Sequence, residues 1–473
     1  MSTVTPWLNQ TAGKPDLIGR RLAESPRLIS MSNISCQIKE SLPAAPWLDR
    51  YDAVRNQTLK LVEPLTPEDQ MVQSMPEASP AKWHLAHTTW FFEEFVLIPH
   101  LPGYGCFDGR FGFLFNSYYK QLGGHPHRTI RGTFSRPALD QVLRYRMHVD
   151  KAILALSTRD ISAEVLRLVE LGLNHEQQHQ ELIVTDIKHA FWTNPLRPAY
   201  QTGMTHLTEI PVPQPLCWYG FDGGIHEVGH EHDSGCFSFD NERPRHHVHV
   251  RPFRLASRLV TNREYLEFLS DGGYERPELW LSDAWDHLCP NGWSRPLYWE
   301  KTGDTWTLFT CRGILPLDPI EPVCHVSFYE ADAFARWAEA RLPTEFEWEI
   351  AAGYSMETAL SHEKCVDNML ESETYHPVPA GGTPNHPQAS AGQLFGDTWE
   401  WTSSAYSPYP GYRAPSGAEG EYNGKFMCNQ MVLRGGSCVT PRSHMRKTYR
   451  NFFPPHMRWQ FSGIRLAHDG AGS

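Results

Sequence analysis

The sequence predicts an α+β protein of more than one domain, with a helical first half and a loop-rich second half. Between residues 46 and 194, apolar residues recur at the spacing of amphipathic α-helices. A proline- and threonine-rich stretch follows, and after it glycines, tryptophans and short β-like runs predominate. We therefore expect an N-terminal extension at 1–45, a four-helix bundle at 46–200, a linker at 201–218 and a second domain at 219–468.

The composition of the 473-residue chain is that of a folded protein, with 40% hydrophobic and 12% aromatic residues. The net charge of −11, without a basic stripe, argues against a nucleic-acid partner. No apolar run is long enough to span a membrane, and the N-terminus lacks the apolar core of a secretory signal. The ten cysteines form no CxxC pair, so we expect a cytoplasmic protein with reduced thiols. The oligomeric state is left open.

The first half shows four long helical patterns. Ser79 and Pro80 fit the N-cap and first residue of the second one, and Thr66 with Pro67 indicates a further, shorter helix start. The patterns begin at residues 46 and 79 and extend over 137–157 and about 162–190. In the second half we expect helices only at 261–270 and 327–339, the latter followed by 343–352.

His175 and His179 lie four residues apart in the fourth helix, so both side chains stand on the same face and suit a single metal ion. A third ligand must come from elsewhere. His84 and His87, on the second helix, are both candidates. We favour His87 because it lies one turn from apolar residues that are expected to face inward.

Glu181 is the alternative to a third histidine. It either completes a site of two histidines and one carboxylate, or it orients His179 without contacting the metal itself. Three neutral imidazoles suit Fe(II), Zn(II), nickel or copper, and the residue types alone do not choose among these metals.

Seven segments of the second half, in this order, resemble the formylglycine-generating-enzyme-like domain, a fold related to C-type lectins. They are FDNERP at 239–244, LVTNREY at 259–265, PVCHVS at 322–327, RLPTEFEWE at 341–349, GDTWEWT at 396–402, LRGGS at 433–437 and GIRLA at 463–467.

The first half resembles the DinB-like four-helix bundle through LAH at 85–87 and HEQQHQE at 175–181. A fusion in this order is similar to the sulfoxide synthases of ergothioneine biosynthesis, and NSYY at 116–119 and RNFF at 450–453 strengthen the resemblance. It implies a non-haem Fe(II) enzyme that uses O₂ to join a thiol to C2 of the imidazole of hercynine. The iron ligands that it implies are His87, His175 and His179, with Glu181 outside the ligand set.

Two departures from the related families matter. Copper in formylglycine-generating enzymes is bound by a late cysteine pair, whereas Cys428 and Cys438 lie outside such a motif here. Family members that take γ-glutamylcysteine carry a Trp-Asp pair where this chain has Phe452 and Phe453. Because the missing carboxylate would pair with the glutamyl ammonium group, we favour cysteine over γ-glutamylcysteine as the thiol.

The resemblance also implies roles around the iron. Gln178 and Asn451 match positions that hydrogen-bond the histidine-derived substrate. The two phenylalanines at 452 and 453 offer aromatic faces for its trimethylammonium group, because such a cation binds to π-systems. Tyr118 or Tyr119 is expected to deliver a proton, and Arg128 and Arg131 to bind the carboxylate of the thiol substrate.

Two alternatives stay open from the sequence. One is a related enzyme on the same scaffold that forms a C–S or C–Se bond with another histidine or selenium substrate. The other is a DinB-like metal-binding module without catalysis, whose second domain serves only in recognition.

Overall fold

The computed structural model describes residues 45–201, 214–231, 235–362, 368–381 and 391–470. The predicted N-terminal extension up to residue 44 and most of the predicted linker, 202–213, lie outside the described residues. No helix in the described ranges is both long and apolar enough to cross a membrane.

The first half is helical. Its second helix continues directly into a π-helical stretch, Glu93–Leu97, a local distortion that is frequent beside functional sites. The helices are α1 Ala45–Val62, α2 Ala81–Phe92, α3 Ile98–His100, α4 Phe111–Leu114, α5 Leu139–Ser157 and α6 Ala163–Thr193.

The helix starts agree only in part with the prediction. Ser162 caps α6 by accepting a hydrogen bond from the backbone N–H of Val165. The prediction of Ser79 as the N-cap of α2 is wrong, because Pro80 occupies that position. Ser79 instead donates its backbone N–H to Asp186 and accepts from Arg131, so contacts across the bundle replace the cap. The expected helix after Thr66 is only a 3₁₀ turn at Asp69–Met71.

Helix α2 is the centre of the bundle, and all twelve of its residues are buried. It packs against α5 and α6, and α6 also packs against α1. Gly172 allows α6 to approach α2 closely, since a Cβ atom there would lie 2.6 Å from the ring of Phe92 and 3.0 Å from that of Phe91. The spacing between these two helices is therefore determined by backbone packing.

A buried ion cluster ties three helices together behind the histidine pair. Glu176 on α6 is fully buried and accepts hydrogen bonds from Arg55, Arg146 and Thr58. Despite the opposing effect of burial, the two guanidinium groups lower the pKa of Glu176 to about 2. Glu176 is thus an ionised structural residue rather than a metal ligand.

In the described residues of the second domain, short strands form four small sheets. The sheet orders are β1-β4-β12, β10-β9-β8-β11, β2-β3 and β5-β6-β7, and all pairs are antiparallel except β11 with β8. The strands are β1 Trp218–Phe221, β2 Gly224–Val228, β3 His246–Val250, β4 Phe253–Ala256, β5 Trp299–Thr302, β6 Thr305–Thr310, β7 Gly313–Pro316, β8 Trp399–Ala405, β9 Met431–Arg434, β10 Asn451–Phe453, β11 Ser462–Gly463 and β12 Ala467–Asp469.

Two of the helices of the second domain begin where the sequence predicted, each after a capping residue. Thr261 and Ser327 form capping boxes with the glutamates three residues later. One helix was not predicted, and it contains a proline, Pro290, near its end. The helices are α7 Asn262–Ser270, α8 Ser282–Asn291, α9 Phe328–Trp337 and α10 Glu345–His362.

Helix α6 also contacts the second domain, through polar side chains between residues 177 and 188. Gln177 donates to Ser443, and Glu181 accepts from Trp399 and Thr440. Further along, Asp186 accepts from Trp459, and Lys188 bonds His325. One helix therefore carries both the histidine pair and the contact with the second domain.

We expect Glu176→Gln to lower the free energy of unfolding of the metal-free protein by about 3–5 kcal/mol. The buried Arg146 then loses the carboxylate with which it pairs, and Arg55 keeps only the partly exposed Asp150. Urea denaturation followed by circular dichroism measures this. Glu170→Gln is the matched control, because Glu170 pairs with Arg50 while its side chain is 41% exposed, and its loss should cost less than about 1 kcal/mol. Equal losses for the two variants would contradict the importance of the buried cluster.

Candidate metal centre

Three histidine side chains meet inside the bundle. His87 comes from α2, and His175 and His179 come from α6. One potential ligand atom from each lies within 4.8 Å of the others, and all three residues are buried. Among the described residues, this is the one group of three or more potential ligands that could hold a metal ion.

His87 is fixed on both faces of its ring. Trp83 stacks on it with ring centroids 4.5 Å apart, and Trp90 lies at 5.4 Å with nearly parallel planes. The Nδ1 atom of His87 is 2.6 Å from the carbonyl oxygen of Phe115, to which it donates when protonated. The Nε2 atom is therefore the nitrogen left to coordinate a metal.

His179 is oriented by the histidine that was the rival candidate for the third ligand. The Nδ1 atoms of His84 and His179 are 2.7 Å apart, and Nε2 of His84 is 3.2 Å from the carboxylate of Asp186. If His84 donates from Nε2 to the carboxylate, its Nδ1 accepts the Nδ1 proton of His179. His84 thus orients His179 by a hydrogen bond instead of binding the metal, and Nε2 of His179 is left to coordinate the metal.

The protonation of the three histidines suits a metal. Burial, the largest cause in each case, lowers the pKa of His87, His175 and His179, that of His175 to about 3, so all three are neutral near pH 7. Nδ1 of His175 is buried and has no hydrogen-bond partner in the described part of the chain. Neutral imidazoles with free nitrogens are what a divalent transition metal requires.

Glu181 does not point toward this group. Its carboxylate accepts from Nε1 of Trp399 and from the hydroxyl of Thr440, both 2.5 Å away. Burial raises the pKa of Glu181 to about 7. The alternative that Glu181 orients His179 is therefore wrong, since His84 occupies that position.

The expected tyrosines lie beside the centre, together with one that the sequence did not indicate. Tyr118 and Tyr119 stack on each other with centroids 4.6 Å apart, and Tyr119 packs on Trp90. Tyr422, from the second domain, packs in a T-shaped arrangement with His175, and their ring centroids are 5.7 Å apart. Burial raises the pKa of all three phenols, which are therefore protonated.

Gln178 lies between two tyrosines of the second domain. Its amide nitrogen donates to the hydroxyl of Tyr449 at 2.7 Å, and its amide oxygen accepts from the hydroxyl of Tyr422. The segment around residue 450 therefore reaches α6 through Tyr449, two residues before Asn451.

The remaining residues predicted to bind hercynine lie on β10. The backbone N–H of Phe452 donates to the side chain of Asn451. Phe452 stacks on Tyr406 with centroids 4.0 Å apart, so one of its faces is covered. Phe453 meets Trp459, whose indole N–H donates to Asp186. The contacts of these residues with hercynine stay predictions.

The two predicted arginines differ in environment. Arg131 is buried and lies 3.5 Å above the ring of Trp83, the indole that also stacks on His87. Its guanidinium donates to the Ser79 hydroxyl, and burial lowers its pKa to about 9. No carboxylate of the described residues pairs with it. Arg128 is exposed and donates to the carbonyl of Glu77.

Comparison with known proteins agrees with the two-part architecture. A model of the DinB superfamily matches residues 50–183, and one described as a sulfatase-modifying factor enzyme 1-like domain matches 221–470, more than half of the chain. The hercynine oxygenase of Mycolicibacterium smegmatis is 32% identical over 444 residues, which cover 89% of this chain and 98% of that protein. The chain belongs to the hercynine oxygenase family.

Two further members of this family are similar. The hercynine oxygenase of Mycolicibacterium thermoresistibile is 31% identical over 437 residues, which cover 88% of this chain and 93% of that protein. The hercynine oxygenase of Mycobacterium tuberculosis is 40% identical over 246 residues, which cover 50% of this chain and 57% of that protein. The fusion of the two domains in this chain is thus that of the family.

Sequence reasoning missed several residues of the centre. Tyr422, Tyr449 and His444 lie in the second domain, in segments without helical or strand periodicity. His84 was weighed only as a ligand. Its spacing of three residues from His87 indicated a position near the metal, but only the packing of α2 on α6 shows that it lies behind His179.

We expect His84→Phe to weaken metal binding about 10–100-fold while all three candidate ligands remain. The phenyl ring preserves bulk but cannot accept the Nδ1 proton of His179. Titration of the metal-free protein with Co(II), followed by its visible absorption, measures the affinity. His148→Phe is the control, since His148 bonds the carbonyl of Gly105 on the exposed side of α5. Unchanged affinity in His84→Phe would contradict the orienting role.

Proposed function

We propose that the protein is an iron(II)- and O₂-dependent sulfoxide synthase that joins cysteine to C2 of the imidazole of hercynine. The observation that carries this proposal is the buried group of three neutral histidines. It lies beside Tyr422 of the second domain, in a chain that matches a hercynine oxygenase over 89% of its length. His87, His175 and His179 would hold the iron.

The overall reaction balances without another reductant. The thiol loses its S–H hydrogen, and the imidazole loses its C2 hydrogen. One oxygen atom of O₂ enters the sulfoxide, and the other leaves as water with the two hydrogens. C–S bond formation and sulfur oxidation each supply two electrons, which are the four that O₂ takes up. Iron(II), when bound, would supply O₂ activation and lower the pKa of the thiol.

The protein would contribute binding and proton control. Arg131 is a buried cation without a carboxylate partner in the described part of the chain, separated from His87 only by the Trp83 ring. A substrate carboxylate at this position would supply the missing counter-charge. Holding both reactants at one site replaces a bimolecular encounter by an intramolecular one.

The protonated phenols beside the centre are the candidate proton donors. Tyr118 and Tyr119 were favoured from the sequence, and their hydroxyl oxygens lie 3.5 Å apart. Tyr422 joins them as a third candidate because of its contact with His175. A phenol with a raised pKa keeps its proton until a strong base forms next to it.

Oxygen uptake tests the proposed function directly. The protein is reconstituted anaerobically with Fe(II), and O₂ consumption is then measured with hercynine and cysteine, together and singly. We expect uptake that requires both substrates and a sulfoxide product in mass spectrometry. Parallel runs with γ-glutamylcysteine test the choice of thiol. Absence of uptake that depends on both substrates would contradict the proposed function.

We expect His179→Ala to lose both iron binding and O₂ uptake, because two imidazoles hold iron much more weakly than three. Metal analysis after desalting measures the first effect. His247→Ala is the control, since the side chain of His247 is 69% exposed on β3. An iron-loaded, active His179→Ala protein would refute this ligand assignment.

We expect Arg131→Leu to raise KM for cysteine at least tenfold, because a carboxylate loses a charged hydrogen-bond partner. KM for hercynine should stay unchanged. Steady-state O₂ uptake at varied concentrations of each substrate separates the two. Arg144→Leu is the control, because Arg144 forms an exposed pair with Asp140 on α5. The domain limits, the cytoplasmic location and the role of Arg128 stay predictions.

A further inference from the structure

A continuous chain of hydrogen bonds connects the metal centre with the backbone of α6 by way of the second domain. From the hydroxyl of Tyr422 it passes through the amide of Gln178 to the hydroxyl of Tyr449. Tyr449 lies 3.2 Å from Nε2 of His444, and Nδ1 of His444 lies 3.1 Å from the side-chain oxygen of Asn174. All but Gln178 are buried.

The donor and acceptor of the hydrogen bond between His444 and Asn174, the last in this series, are fixed. The Asn174 amide nitrogen donates to the backbone carbonyl of Glu170 at 2.9 Å, so the Asn174 amide oxygen faces His444 as an acceptor. Nδ1 of His444 must therefore carry its proton and donate. Burial and the nearby cation of Arg446 lower the pKa of His444, so its ring is neutral and Nε2 has no proton.

The protonation of His444 also determines which atoms donate and accept at Tyr449 and Gln178. The hydroxyl of Tyr449 has a single hydrogen, which it donates to the unprotonated Nε2 of His444. Its oxygen then accepts, so only the amide nitrogen of Gln178 fits against it. If the Gln178 amide were reversed, its oxygen would face the Tyr449 oxygen, and neither atom would have a hydrogen to donate to the other. The amide oxygen of Gln178 is thereby turned toward Tyr422.

We propose that His444 is a positioning residue that holds the Gln178 amide in one of its two orientations for the imidazole substrate. This inference rests on the proposed function. His444 itself acts only through Tyr449 and Gln178. His444 ends a 3₁₀ turn, Arg442–His444, that follows β9, and its ring centroid lies 5.9 Å from that of Phe239 and 4.9 Å from that of Tyr449.

The orientation determines which hydrogen-bond partner the site offers. The hydrogen of Tyr422 is donated to Gln178, so the oxygen of Tyr422, beside His175, is left as an acceptor. An acceptor there suits the N–H of a neutral imidazole. A reversed Gln178 amide would donate to Tyr422 and leave its hydroxyl free to donate, which an imidazole N–H cannot use.

The test compares two variants of His444 in the iron-loaded protein. His444→Phe keeps the ring contacts but can neither donate nor accept, whereas His444→Gln offers an N–H and a C=O and so preserves the pattern of donor and acceptor. Anaerobic calorimetry measures hercynine affinity, and O₂ uptake gives kcat and both KM values.

We expect His444→Phe to bind hercynine about tenfold more weakly, which is the loss for one hydrogen bond. Its KM for cysteine and its iron content should be unchanged. His444→Gln should restore most of the affinity.

A double-mutant cycle shows whether His444 acts through Gln178. We expect His444→Phe to add no further loss of hercynine affinity to Gln178→Leu, because the amide that it orients is then gone. Additive losses, or normal hercynine affinity in His444→Phe, would overturn the proposal. If His444→Phe does not fold, Tyr449→Phe removes the same link and is expected to give the same tenfold loss.

The outcomes separate the two proposals. If the unaltered protein neither binds hercynine nor consumes O₂ with it, the proposed function fails. If the unaltered protein binds and turns over hercynine while His444→Phe and Tyr449→Phe do so equally well, only the positioning role fails.

Discussion

The structure depends on the burial of α6 from two sides. Toward the bundle, α6 presents His175, Glu176 and His179 to α2 and to the ion cluster. Toward the second domain, Gln177, Gln178 and Glu181 form hydrogen bonds with side chains of that domain. The part of α6 that is buried from both sides excludes water from its polar side chains, and most of these side chains therefore hydrogen-bond within the protein.

This burial explains the chemistry of the centre. A carboxylate and two imidazoles lie within about one turn of α6, and burial affects their protonation differently. Glu176 stays ionised because Arg55 and Arg146 compensate its charge, whereas the histidines next to it lose their protons because few nearby groups favour the charged form. The same low-dielectric surroundings thus give a carboxylate with a structural role and imidazoles ready to bind a metal.

Local signals predicted much of the fold and the core of the centre. The spacing of His175 and His179 follows from helix geometry, and the helices expected from about residues 162, 261 and 327 do begin there. Contacts between distant segments could not be predicted in this way. Ser79 is diverted from its expected cap by Asp186, 107 residues away, and Gln178 bonds Tyr449, 271 residues away. The partners of a polar side chain are a property of the packed structure.

The close approach of α2 and α6 has a consequence for metal choice. Gly172 sets the distance between the helices, and the ring of His87 is confined between Trp83 and Trp90. The coordinating nitrogens are therefore carried by a scaffold that yields little, because close-packed interiors resist displacement. Ions of different radius must adapt to one nearly fixed triangle of nitrogens. The preference for metal ions of one radius would then be determined by the apolar residues that pack behind the histidines, and not by the histidines alone.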